Sequence, residues 1–158
     1  MRGSALAIMI LLMLIGGSPG STAGGMKTTT FSVLIANMLS VFRRGRDVEC
    51  FERRLPSDVI KQASTVFVLY LSLFFGGALI ISAVDGIGIG IALYETASAV
   101  GTVGLTLGVT PMLGGVSRCV LMVLMFMGRV GGLTVIYATV ANDAGVNSKF
   151  PEERITVG

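Results

Sequence analysis

The stretch Gly20-Ser-Thr-Ala-Gly-Gly25-Met26-Lys27-Thr28 carries the residue types of a phosphate cradle. A P-loop, G-x-x-x-x-G-K-[ST], aims backbone N–H groups at phosphate oxygens and places Lys directly after the second glycine. Here Met26 separates Gly25 from Lys27. The stretch "TVGLT", residues 102 to 106, has a glycine that lets backbone carbonyls turn without a side-chain clash. Arg129 is a single charge inside the long apolar run 119–141. Beyond these the chemical inventory is thin. There is no His, and the only thiols are Cys50, in a charged segment, and Cys119, in an apolar one. Thiols placed so differently point away from a disulfide or a metal site. No covalent chemistry is implied, so the chain does not read as an enzyme and no cofactor is expected.

Composition says what must surround these residues. The 158 residues are 53% hydrophobic and 13% charged, with a mean hydropathy of +0.83. A soluble domain carries about 25% charged residues, so the expected partner is a lipid bilayer. The net charge of +3 is concentrated in "RRGRDVECFERRLPSDVIK", residues 43 to 61. Its hydrophobic flanks make nucleic acid a poor partner. Loops on the cytoplasmic side of a membrane are enriched in Lys and Arg, and this segment fits one. Met1-Arg2 before an apolar stretch imitates a signal peptide, but no small-residue cleavage site follows.

The apolar segments set the elements. Residues 5–15 are too short to cross a bilayer, which takes about 20 residues. A Gly/Ser/Thr-rich stretch follows, then a second half-segment, residues 31–42. As one helix, residues 5–42 would be about 57 Å long. A helix broken by an irregular loop is more economical, provided that protein or a water-filled cavity satisfies the loop's backbone. Residues 66–84 hold no charge and read as a spanning helix. "VDGIGIG" reads as a turn, "IALYETASAV" (91–100) as a helix too short to cross, and "GTVGLTLGVTP" (101–111) as a glycine-rich loop. Residues 119–141 read as a further spanning helix. With the basic loop inside, the first segment runs inward, 66–84 runs outward, and the last helix returns. The short re-entrant helix and its loop then lie on the outer side.

"ILLMLIG" (10–16) resembles "MVLMFMG" (122–128), and the Gly pairs that follow open "GGMKTTTFSVLIA" and "GGLTVIYATVA". This internal repeat suggests a symmetric array. "TVGLT" is close to the T-V-G-Y-G filter whose carbonyls replace an ion's water shell. A short helix ending near Val100 would turn its negative dipole end toward such a site. The P-loop reading of residues 20–28 fails on the misplaced Met26, the lack of a preceding strand, and the membrane-like flanks.

Four stretches, "GGSPGSTAGGMKTTTF", "YETASAVGTVGLTLGVTP", "MFMGRVGGLT" and "FPEERITVG", run through almost the whole chain. In order and composition they resemble the Trk/Ktr/HKT superfamily of cation transporters, most of all the bacterial KtrB/TrkH membrane subunit. The resemblance implies an all-α membrane protein built from helix–pore loop–helix repeats. About one and a half of the four expected repeats would be present, with an N-terminally truncated start and Met1 not a natural one. Residues 1–42 would be the second helix of the third repeat, broken by an intramembrane gate loop over 16–25. Residues 43–62 would be a cytoplasmic linker, 63–141 the fourth repeat, and 142–158 a cytoplasmic tail. The filter would be Thr102, Val103, Gly104, Leu105 and Thr106, with K+, or Na+, held by the carbonyls of Thr102, Val103 and Gly104. The gate would be Gly16, Gly17, Ser18, Pro19, Gly20, Ser21, Thr22, Ala23, Gly24 and Gly25, with Lys27 at its inner end. The resemblance places Arg129 below the filter as an electrostatic brake. A charge at mid-membrane costs about 2.5–3.5 kcal/mol, so it should face a cavity and pair with carbonyls or an acid. Glu95 fits either a backbone-bonded buried acid or an ion-attracting role; Tyr70 and Tyr94 could be interfacial anchors. The resemblance further implies potassium uptake at the plasma (inner) membrane by a multi-pass homodimer, regulated by a cytosolic nucleotide-binding ring. The alternative is a non-conducting, membrane-anchored regulatory or assembly protein that reuses the same helices.

Overall fold

The computed structural model describes residues 3–43, 48–50 and 53–131. The chain begins with two short helices, α1 (Gly3–Leu14) and α2 (Thr28–Phe42), separated by an irregular loop. A small antiparallel ladder follows, β1 (Glu49–Cys50) with β2 (Arg53–Arg54), in which Glu49 faces Arg54 and Cys50 faces Arg53. Then come α3 (Ser57–Asp85), α4 (Ile89–Val100), a single 3-10 turn (Thr110–Met112) and α5 (Gly115–Val130). Regular structure is otherwise all helical, as the composition predicts.

α3 grows from the charge-free run. Pro56 precedes it, and Asp58 lies in its first turn, where a negative charge suits the helix dipole. At 29 residues it is about 44 Å long. Among the described residues it is the one helix long and apolar enough to cross a membrane. It ends where Gly86 takes φ +66° and donates its N–H to the Ser82 carbonyl at 3.0 Å. That left-handed step costs a glycine little and turns the chain into α4.

α4 is only 12 residues long, yet it lies at the centre of the molecule. Tyr94 to Val100 are all buried, and the helix packs against α1, α3 and α5. Its alanines, Ala92, Ala97 and Ala99, allow that close approach from several sides. One core cluster joins Val66, Tyr70 and Ile81 of α3 to Val100 of α4 and Leu121 and Leu124 of α5. A second joins Met13 of α1 to Phe74, Tyr94 and Ala97. Gly77 keeps α3 tight against α5: a Cβ there would sit 2.6 Å from Leu124 Cδ1. The outward faces are apolar as well, with Leu11 61%, Leu79 63% and Phe126 63% exposed. An extended apolar exterior marks contact with lipid or protein rather than water.

Several sequence expectations need correction. α2 starts at Thr28 rather than at 31, and α3 starts nine residues before 66, taking Ser57 to Thr65 into the helix. The basic segment therefore contains a strand pair and the first turns of α3, where a plain loop was expected. The last helix runs from Gly115 to Val130 and not from 119 to 141. Its start is brought forward because Asp85 accepts the Gly114 N–H, at 3.2 Å from each carboxylate oxygen. Its end comes where Gly131 adopts φ +83°. Residues 132–141, the tail 142–158 and the second copy of the internal repeat beyond Gly131 lie outside the described residues. Tyr70 and Tyr94 are buried, 5% and 2% exposed, and are not interfacial anchors.

Candidate functional site

The loop between α1 and α2 is closed at its neck. Gly16 N–H donates to the Met26 carbonyl at 2.6 Å, and Thr28 N–H donates to Gly17 at 3.2 Å. Ile15 and Met26 form a parallel bridge. The closure demands glycine at position 16, since a Cβ there would overlap the Gly24 carbonyl oxygen. Gly20 (φ +87°) and Gly25 (φ +76°) supply the reversals within the loop. Met26, the residue that spoils a P-loop, forms part of the neck and is buried, only 6% exposed.

Three successive carbonyls of this loop accept hydrogen bonds from cations. Lys27 Nζ donates to Ser21 O at 3.1 Å and to Ala23 O at 2.8 Å. Arg129 Nη1 donates to the Thr22 carbonyl between them. Arg129 is the penultimate residue of α5. The expected mid-helix depth is thus corrected to a helix C-terminus, where the dipole favours a positive charge.

The other side of the loop meets Gly101 and Thr102. Gly24 N–H donates to Thr102 Oγ1 at 2.8 Å, and Gly25 N–H to the Gly128 carbonyl at 3.1 Å. The Tyr70 hydroxyl also donates to the Gly128 carbonyl, at 3.4 Å. Gly128 itself lies hard against the end of α4, where an added Cβ would overlap the Val100 carbonyl oxygen. Of the expected filter and gate residues, Thr102 and Gly24 are therefore brought together, beside the C-terminal turns of α4 and α5.

After Val100 the chain reverses and runs back along α4. Thr102 N–H donates to Ala99 O at 3.1 Å and Val103 N–H to Ser98 O at 2.9 Å. Thr102 (φ +52°) and Gly104 (φ +83°) are left-handed, whereas Val103 between them is not. Along a regular strand, successive residues face opposite ways; alternating handedness lets successive carbonyls face one way instead. Val103 and Leu105 are 44% and 47% exposed.

Farther along, three side chains hold the loop that leads to α5. Glu95 accepts from Thr106 Oγ1 (2.6 Å), Leu107 N–H (2.9 Å) and Thr110 Oγ1 (2.9 Å). Arg118 Nη2 donates to the Pro111 carbonyl at 2.7 Å, and Asp85 holds Gly114. The sequence left Glu95 open between two roles. It offered no signal for Arg118, and it showed Asp85 only as the outer turn's single charge.

The TrkH family, described as "Cation transport protein", matches residues 1–148. The chain belongs to the TrkH family. It is 40% identical over 164 residues to "Potassium/sodium uptake protein NtpJ" of Enterococcus hirae, covering 100% of this chain and 36% of that one. It is 37% identical to "Ktr system potassium uptake protein D" of Bacillus subtilis, covering 98% of this chain and 34% of the other. "Ktr system potassium uptake protein B" of the same organism is 33% identical, covering 100% of this chain and 35% of the other. The chain thus spans about a third of the length of the curated relatives it matches. Membership explains the apolar exterior: TrkH proteins are membrane cation transporters, and the family is not one of enzymes. The resemblance read from the four stretches and the family match agree.

Proposed function

We propose that this chain supplies one filter segment and one gate of a potassium-conducting subunit. Residues 102–106 contribute carbonyls to the filter, with K+ held by those of Thr102, Val103 and Gly104, and residues 16–25 form the gate beneath. α3, α4, the loop 101–114 and α5 make one helix–pore–helix repeat, and the chain crosses the membrane more than once. The names of the relatives support a monovalent cation, potassium or sodium, and a system with further subunits. A homodimer on a cytosolic regulatory ring is part of this reading.

The observation that carries it is the direct hydrogen bond between the two parts, Gly24 N–H to Thr102 Oγ1, 2.8 Å. A loop fixed to the first filter residue stands in the path of an ion leaving that filter. Lys27 and Arg129 occupy the loop's carbonyls and set positive charge across the same path. Inside a low-dielectric passage such charges repel a cation far more than in water.

The test is potassium uptake by the full-length transporter in cells lacking their own uptake systems. Deleting residues 17–22 is expected to raise maximal flux and leave potassium affinity within about threefold, a difference under 1 kcal/mol. Lower flux from a correctly inserted deletion protein means that the loop is structural support. No uptake by the full-length parent favours the non-conducting reading.

A further inference from the structure

Glu95 lies five residues before the end of α4, and only 4% of its surface is exposed. Its carboxylate takes three hydrogen bonds from the strand that runs back beside it. Two come from side chains and one from the backbone of Leu107. Thr106 Oγ1 also accepts the Gly108 N–H at 3.0 Å and lies 2.8 Å from Thr110 Oγ1. Residues 106–110 are therefore gathered around a single side chain of α4.

We infer that Glu95 is a positioning residue for ion selectivity: it fixes the upper end of the filter strand through hydrogen bonds, and its charge does not itself attract the ion. This rests on the reading of residues 102–106 as filter. The lower end of the strand is tied by Thr102 and Val103 N–H to carbonyls of α4. Among the described residues, no hydrogen bond holds Gly104 or Leu105 between the two ties. Ser98 and Glu95, which hold Val103 and Leu107, are separated by a helix rise of about 4.5 Å. Four extended residues would cover about 13 Å, so the strand between the ties is slack and is folded into its alternating conformation. Released at the top, it would be free to lengthen and swing its carbonyls away.

The hydrogen count makes charge and hydrogen bonding separable. Leu107 N–H and two hydroxyls need acceptors, and an ionised carboxylate accepts at both oxygens. Glutamine retains the same length and one acceptor oxygen for Thr106 and Leu107. Its NH2 group can donate to Thr110 Oγ1, whose hydrogen then turns to Thr106 Oγ1 at the observed 2.8 Å. Alanine leaves the Leu107 N–H and one of the two hydroxyls without an acceptor, since the other hydroxyl can still donate across the 2.8 Å Thr106–Thr110 contact.

The experiment measures potassium KM, maximal rate and inhibition by sodium for the full-length transporter, with membrane insertion checked in parallel. Glu95→Ala is expected to raise potassium KM about tenfold, the effect of one unsatisfied buried group, and to narrow the preference for potassium over sodium. Glu95→Gln is expected to recover most of that loss. Thr110→Val, a mild change that removes one donor, is expected to raise KM by about threefold, and it serves if Glu95→Ala does not insert. Equal losses in the Gln and Ala variants overturn the inference and assign Glu95 to ion attraction. Unchanged KM and selectivity in Glu95→Ala, or in Thr110→Val where the alanine variant does not insert, also overturn it. Gly104→Ser, run alongside, separates the two failures: altered selectivity there keeps the filter reading while Glu95 falls, and unaltered selectivity removes both.

Discussion

Thr102 is held at φ +52°, and among the described residues no other side chain beyond glycine has a positive φ. A left-handed conformation costs an L-residue about 1–2 kcal/mol. Part of that is offset because the same residue's hydroxyl accepts the Gly24 N–H. The backbone conformation at Thr102 and the position of the loop are thus linked through one side chain. Gly104 has the same handedness at φ +83°, with open space around its missing Cβ. Gly104→Ser should therefore suffer from backbone conformation and not from a clash, losing about 1–2 kcal/mol, near tenfold in potassium affinity. Competition between potassium and sodium in uptake assays checks this, and unchanged selectivity removes Gly104 from the filter. The glycine and hydroxyl types of this site were legible in the sequence because few other residues meet such backbone demands. The depth of Arg129 was not. Gly76-Gly77 sits within α3 without breaking it, whereas Gly131 ends α5, and only packing distinguishes the two cases.

At the level of elements, α4 is held by contacts with no slack. Gly128 of α5 touches the Val100 carbonyl where a Cβ would overlap. Gly128→Ala is expected to push α5 from the end of α4 and cost about 1–3 kcal/mol, the usual range for overpacking. Thermal unfolding of the purified full-length protein measures it; an unchanged midpoint means that α5 shifts freely there. Arg129 joins α5 to the loop between α1 and α2 through the Thr22 carbonyl. Arg129→Ala is expected to raise maximal flux, and combining it with the 17–22 deletion should add little, because the two changes remove one shared contact. Full additivity in uptake rates assigns Arg129 a purely electrostatic effect. α3 was readable from its charge-free run, but its first nine residues were not, since Asp58 and Lys61 look like loop residues until Pro56 is recognised as a start. The pairing of β1 with β2 was illegible for a related reason: "ECFERR" is charged, short and free of Gly or Pro turn signals.

For the molecule as a whole, the distribution of charge supports an expected sidedness. The segment 43–61 holds five Arg and one Lys, whereas the far end of α3 and the turn into α4 carry Asp85 alone. With the basic segment cytosolic and the filter external, Cys50 in intact cells is expected to resist an impermeant thiol reagent and to react once the membrane is permeabilised. Rapid labelling of intact cells reverses the orientation. The closed neck of the loop between α1 and α2 bears on time as well as on space. Its two ends are bonded to each other, so the ten residues between them can rearrange while α1 and α2 stay still. Loop motions run on nanosecond-to-microsecond scales, whereas collective helix motions take microseconds to milliseconds. Current through a single open transporter should then be interrupted by brief flickers, too fast to involve the helices, and cutting the neck bonds should lengthen them.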